Sequence, residues 1–440
     1  MPNSTTTGTA VVDNLSVSVP AGVSAMAYRL YFGETGTGTL NINGGTLTDH
    51  LSILGTNTST DMVAGTNTGG YGTATVTSGT WTNTTQLAVG YYHGQGSLNI
   101  TGGMVDGAAV YVGLNTDSTA TSGVVSISGG ALKCSNLFLG YNSGGTLTMS
   151  CGTVDDSGVF RLGANSTASG TATVSGGTMT LNSTSQVGYN GKGTLNISGG
   201  GAVVLVGGTG TLTLAYNAGS KGTLNLGDGT TTAGTLNAGS VAAGSGTATV
   251  NFNHTGSYTF APILTGSLSV NKLGSGTTTL SATSTYVGKT AINAGTLAIG
   301  SDGSIATSTG VSISAGATFD TTAKAFVMLG SQKIVFQLDA TGLGSAGLIN
   351  AASLDITNAV VDFSTLGTLD DLVYVLANYN SLIGSSFASV TNLPTGYSLN
   401  YSYSNGTQIA LTSVPEPSSC VLIGLGIAGL ALLRRNVARK

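Results

Sequence analysis

Few residues of this chain could do chemistry, and the most suggestive are carboxylates. Asp106 and Asp155 each fall ten residues after the leading glycine of a recurring phrase, with Asp156 adjacent to the second and Asp49 one place out of register. Paired carboxylates on one face could act as general acid and base on a glycosidic bond, or hold a metal that assists such a reaction. Lys133 occupies the same position in the intervening phrase. The alternation of Asp106, Lys133 and Asp155 therefore reads more simply as a ladder of surface charges, weak at each pair. The histidines, His50, His93 and His254, fall at unrelated phrase positions and compose neither a triad nor a metal cage. Before the tail the only arginines are Arg29 and Arg161, so an anionic sugar would find few partners.

The elements that must position these groups are legible in the phrase itself. GTLNINGGTLT starts at Gly38, GTATVTSGTWT at Gly72, GSLNITGGMVD at Gly96, GVVSISGGALK at Gly123, GTLTMSCGTVD at Gly145 and GTATVSGGTMT at Gly170. Looser copies start at Gly193, Gly222 and Gly246, giving spacings of 34, 24, 27, 22, 25, 23, 29 and 24 residues. A period in that range marks stacked structural units. The second and fourth residues after each glycine are apolar (Leu40/Ile42, Leu98/Ile100, Val125/Ile127), and their neighbours are mostly Thr, Asn or Ser. Period two demands a strand with one dry and one wet face. A second fragment recurs between phrases, as in LAVGYY at Leu87 and LFLGYN at Leu137, so each rung holds two or three strands joined by Gly- and Asn-rich corners. Stacking the rungs puts Leu over Val over Ile, and the expected fold is all-β: a right-handed parallel β-helix, or β-solenoid, with nine rungs from Gly38 spanning roughly 40 Å.

Composition agrees with an exterior role. Only 7% of residues are charged, and mean hydropathy is +0.28 without apolar clustering, save once. Four of the 13 basic residues lie in the last seven positions; the remainder carries 9 basic against 17 acidic residues, a balance of −8. That excludes a basic nucleic-acid footprint. The one apolar cluster, Ser418–Leu433, follows Val414, Pro415, Glu416 and Pro417 and precedes Arg434 and Arg435. Sixteen residues are short for a membrane span, but the arginines supply a stop on the cytoplasmic side. This order of tripeptide, apolar helix and basic end resembles the PEP-CTERM sorting signal of Gram-negative bacteria. The resemblance implies recognition by an exosortase, a transient inner-membrane anchor through Ser418–Leu433, and delivery to the cell surface or extracellular matrix.

A second resemblance lies at Val270 to Gly300, which is similar to the autotransporter-associated β-strand repeat through Lys272, Gly274, Gly276, Leu280, Tyr286, Gly288, Ala294, Gly295, Thr296 and Leu297. It implies a passenger-type β-solenoid at the bacterial surface. The 113 residues between Gly300 and the sorting signal leave no room for a translocator barrel, which points to another export route. The expected organisation is an N-terminal β segment or cap at 1–37, β-helix repeats at 38–267, the autotransporter-type repeat at 268–300, a β continuation and cap at 301–413, and the sorting signal at 414–440. The opening MPNSTTTGTAVVDNLSVSVPAG is polar, with strand alternation at Leu15, Val17 and Val19; a missing leader is the expectation.

Remaining signals are weak. Gly424, Gly426 and Gly429 match a dinucleotide fingerprint but sit where no βαβ unit follows. Cys134, Cys151 and Cys420 suggest no disulfide framework, and buried free thiols are expected. Tyr91, Tyr92, Tyr141, Tyr189 and Tyr216 recur near corners, where an edge of aromatics could stack on sugar rings or simply cover the turn. The sequence thus favours a non-enzymatic, cofactor-free surface solenoid with a structural or adhesive role in an exopolysaccharide matrix. A carbohydrate-active β-helix enzyme (a lyase or hydrolase) and a plain glycan-binding module stand as alternatives.

Overall fold

A computed structural model describes residues 9–12, 15–33, 36–54, 70–114, 121–340 and 345–414. Two compact units divide the chain, residues 1–309 and 310–440.

In the first unit the glycine-led phrases form strands that stack in parallel. Leu15–Pro20 pairs with Thr37–Leu54, and pairing continues through Tyr71–Tyr91, Gln95–Ile100, Thr121–Ile127, Gly144–Met149, Ser169–Val174, Lys192–Ile197, Lys221–Leu226, Thr247–Phe252 and Leu268–Lys272 to Lys289–Ile292. Gly72, Gly96 and Gly123 sit over one another, and Ile100 lies on Ile127 and then on Met149. Inward positions are no more than 1% exposed in Leu40, Ile42, Leu98, Ile100, Ile127, Leu195 and Ile197. Burying each such side chain contributes about 1.5–3 kcal/mol, and one rung alone could bury none of them. Parallel stacking is therefore the source of stability as well as the consequence of the repeat.

Register breaks at the ninth phrase. The spacing places Gly246 as its leading glycine, but Ala248 stacks on Gly222, Val250 on Leu224 and Phe252 on Leu226. The displacement is two residues, and an even step keeps every apolar side chain on the inner face. Outside, the same strands carry an asparagine ladder. Asn225, Asn251 and Asn271 each donate from Nδ2 to Oδ1 of the preceding rung's Asn196, Asn225 and Asn251, at 2.7, 2.7 and 2.8 Å.

Further inward columns belong to the other strands of each rung. One runs Leu47, Trp81, Val105, Leu132, Val154, Met179 and Val203; another runs Leu54, Val89, Val112, Leu139, Leu162, Val187 and Leu214. Directly after the latter comes a corner where Gly90, Gly113, Gly140, Gly163 and Gly188 all have positive φ, between 64° and 79°. At Gly140 a Cβ would press into the backbone of Ser169 and Gly170 on the next rung. The glycine column ends at Ala215, which takes the same left-handed backbone (φ 53°) just before the displaced ninth phrase.

The second unit uses the same principle and then abandons it. Gly310–Ile313, Lys333–Asp339, Val360–Leu366 and Ser389–Thr391 stack in parallel, as do Thr318–Thr321, Leu348–Asp355 and Val373–Ile383. Gln408–Ser413 then pairs antiparallel with Val373–Ile383, and Tyr397–Ser402 pairs antiparallel with Gln408–Ser413. The antiparallel pair closes this sheet with non-repeat sequence. A helical turn at Tyr403–Gly406 has Ser404 and Asn405 in the left-handed region. Among the described residues no helix is long and apolar enough to cross a membrane. The expected apolar helix Ser418–Leu433, with Pro415, Glu416, Pro417, Arg434 and Arg435, lies outside the described residues.

Two substitutions test these contacts. Ile100→Asp, or Ile127→Asp, places an unpaired charge in a column of zero to 1% exposure, and thermal unfolding should shift by several kcal/mol or lose its cooperativity. Gly140→Ala should cost more than about 1–2 kcal/mol, the left-handed penalty alone. The same change at Gly219, which has positive φ but open space around it, should cost only that penalty; equal effects at both sites would contradict the close approach of rungs.

Candidate functional site

The exterior charge ladder assembles as the spacing predicts. Thr82, Asp106, Lys133, Asp155 and Thr180 occupy one position on successive rungs, and the three charged residues are exposed. Asp155 accepts a hydrogen bond from Asn182 Nδ2 at 2.8 Å. The two carboxylates lie two strand spacings apart, roughly 10 Å, on an open sheet surface with a lysine between them.

One residue further along runs an inward column: Asp49, one place out of register with the ladder as the spacing has it, then Asn83, Gly107, Cys134 and Asp156. Asp49 is 2% exposed and Asp156 fully buried. The Asp49 carboxylate accepts from Trp81 Nε1 at 3.1 Å, from Asn83 Nδ2 at 3.3 Å and from Ser52 Oγ. Asp156 Oδ1 accepts from the Gly158 N–H at 3.2 Å, with the Cys134 thiol at 3.8 Å, while Oδ2 has no partner among the described residues. Burial raises the Asp49 pKa and pushes Asp156 up to about 6. Burial and the neighbouring Asp156 likewise push the Cys134 thiol well above its ordinary value. A raised carboxyl pKa often marks a catalytic acid, but these two face the sealed interior, where no substrate reaches. Cys134 is a buried free thiol as expected, whereas Cys151 is exposed.

The aromatics do gather on one edge. Tyr111, Phe138 and Arg161 stack on successive rungs, with the Tyr111 and Phe138 rings 5.0 Å apart at 22° and Tyr141 edge-on to both. Arg161 lies over the Tyr189 ring at 3.9 Å, and Tyr216 stacks on Tyr189 at 5.3 Å and 21°. Ring faces of Tyr111, Phe138 and Tyr189 are thus turned toward neighbouring rungs, while Tyr92 and Tyr216 stay 40% and 43% exposed. Stacking a sugar requires a free face, so the packed rings of Tyr111, Phe138 and Tyr189 fit the corner-covering reading. The histidines separate: His50 stacks on Tyr28 beside Thr84 and Thr85, and His254 is buried with Nε2 at 2.7 Å from Thr278 Oγ1.

Within 270–300 the motif residues have structural work. Lys272 stands in the inward column between Phe252 and Ile292 and is fully buried. Its ammonium donates to the carbonyls of Gly274 and, at 3.4 Å, Ala294, and burial draws its pKa down to about 8. Gly276 lets the turn approach the Gly256 carbonyl of the preceding rung. Tyr286 is buried, its hydroxyl 2.6 Å from Thr290 Oγ1, which in turn lies 3.1 Å from Ser308 Oγ. Sequence reasoning treated Lys272 as a motif letter; its inward direction shows only in the parity of the strand.

At the other end of the described chain, Ser413 N–H donates to the Leu372 carbonyl at 2.9 Å and Val414 N–H to the Gly396 carbonyl at 2.7 Å. Val414, 49% exposed, is where the last strand is left behind.

Two measurements follow. Asp156 holds its proton to about pH 6 in the fold and to about 3.8 in the unfolded chain, so its contribution to stability is full at low pH and is lost as pH rises through that window. Asp362, held down to about 2 chiefly by Lys333, acts in the opposite sense but only below about pH 4. The melting temperature should therefore fall between pH 4 and 6.5, and Asp156→Asn should flatten that fall. Changing Asp106, Lys133 and Asp155 together to Ser should alter stability by less than about 1 kcal/mol per pair; loss of a glycan-degrading activity in that variant would restore the ladder as a catalytic site.

Comparison with known families matches the passenger-associated-transport-repeat at residues 153–181 and 270–299 and the PEP-CTERM protein-sorting motif at 413–435. No curated protein matches the chain. Both repeat matches cover about one turn: Thr153 stacks on Thr178 within the first, and Val270 on Thr290 within the second. The match at 153–181 was not singled out from sequence; its signal was the closing GTMTL, with Gly177 at φ 74° as Gly295 is at 64°. The chain is a parallel β-solenoid that includes passenger-associated transport repeats and carries a PEP-CTERM sorting motif at its C-terminal end.

Proposed function

We propose that this protein is a structural or adhesive element of an extracellular polysaccharide matrix, held in the inner membrane by Ser418–Leu433 until an exosortase acts near Val414, Pro415, Glu416 and Pro417. The sorting motif and the solenoid repeats support an exported surface β-helical protein. One observation carries the finer reading: the motif begins at residue 413, where the last described strand ends. The address overlaps the described fold only at Ser413 and Val414, which bond to the Leu372 and Gly396 carbonyls. Pro415 and Pro417 each remove a backbone donor and resist continuation of strand or helix, so the tripeptide suits a processing enzyme that needs extended chain. Arg434 and Arg435 set the cytoplasmic side.

The structural role rests on what the surface offers: outward columns of Thr and Asn and few charges, with Asp49 and Asp156 facing inward. Replacing Pro415-Glu416-Pro417 by Ala-Ala-Ala in a host with an exosortase should leave full-length protein in the inner membrane, as read by fractionation and blotting. Surface delivery of that variant with its tail removed would overturn the sorting assignment.

A further inference from the structure

At the end of the described residues, Ser413 and Val414 donate to two loops, through the Leu372 and Gly396 carbonyls. Both loops turn large apolar side chains outward. Leu372 is 75% exposed, the most exposed large apolar side chain among the described residues, and Leu393 and Val414 are 41% and 49% exposed. Beside them a hollow of about 430 Å³ is lined by Phe363, Leu393, Pro394 and Tyr397, among others. Scattered exposed leucines are ordinary, but a group of them around one exit point marks a surface meant to be covered.

We infer that this face rests on the lipid bilayer, inserting Leu372 and Leu393 among the headgroups. The inference depends on the reading of Ser418–Leu433 as a membrane anchor. Three residues separate Val414 from that apolar run, and four extended steps reach at most roughly 14 Å. When the run enters hydrocarbon, Val414 and the two loops bonded to this strand end are held at or just above the headgroup layer, itself about 5–8 Å deep on each side. Apolar side chains kept at that depth gain by insertion. Near the loops in sequence stand the acids Asp370, Asp371 and Glu416, and Asp362, which accepts from Asn392 beside Leu393, is paired with Lys333 at 2.7 Å; this excess of acid favours a neutral lipid surface over an anionic one.

The full chain, reconstituted in phosphatidylcholine vesicles, tests this directly. In a Cys151→Ser, Cys420→Ser background, Leu372→Cys carries an environment-sensitive dye, and Leu15→Cys, 61% exposed in the other unit, serves as control. The buried Cys134 remains. The expected result is flotation with the vesicles, a blue-shifted dye at position 372 protected from iodide and quenched by lipid-borne nitroxide, and a water-like dye at position 15. Flotation with a water-like dye at 372 would overturn the inference while leaving the anchor intact. Failure to float would remove the anchor reading and the inference with it. Shielding at 372 that appears only when an exosortase is added would assign the face to the enzyme instead, and would equally overturn it.

Discussion

Everything in this molecule depends on residue-for-residue parallel register between successive rungs. A strand has two faces, and a slip of one residue would exchange them, exposing every Leu, Ile and Val while burying Thr and Asn. The sequence tolerates the irregular spacing of its phrases because insertions fall at corners, and tolerates the displaced ninth phrase because two residues preserve parity. Corners pay the geometric cost: a glycine with positive φ stands at the same place on five consecutive rungs, where a side chain would meet the next rung's backbone.

Register also sorts chemistry by parity. Adjacent residues Asp155 and Asp156 have opposite fates, one exposed on a ladder with Lys133 and the other sealed beside Cys134. Lys272 and Asn271 divide in the same way: the amine points inward onto corner carbonyls, and the amide outward into the asparagine ladder. Buried Asp49, Asp156, Cys134 and Lys272 thus have their protonation shifted by the interior, while the outward positions of the repeats are mostly Thr, Ser and Asn. A surface of that kind suits an extended structural or adhesive element more than a catalytic cleft.

The periodic phrase, the inward Leu/Ile/Val columns and the Asp106–Lys133–Asp155 stack were legible because they follow from period-two alternation and fixed spacing from a glycine. The C-terminal address was legible because its parts are contiguous in sequence. Three features were not. Asp49 stands eleven residues after Gly38, one place past the ladder as counted, but its inward direction was hidden because the corner at Gly44, with positive φ, switches the parity of inward positions between Ile42 and Leu47. Lys272 in an apolar column contradicts hydropathy, and its explanation lies in two carbonyls, one of them 22 residues away. The repeat at 153–181 was hidden because its polar letters differ from those at 270–299, although both describe the same turn. In the last two cases the missing information was a contact between rungs.

The most direct test of this account is the distance between outward-facing positions that it places in one column. Ser97 is followed on later rungs by Thr171, Thr194, Thr223 and Thr249, three to six strands away. Pairs of spin labels, one at Ser97 and the other at each of these in turn, should give separations that grow by about 4.8 Å per rung, whatever the number of intervening residues. Separations that instead follow the sequence distance, or fail to increase steadily, would contradict a parallel in-register solenoid.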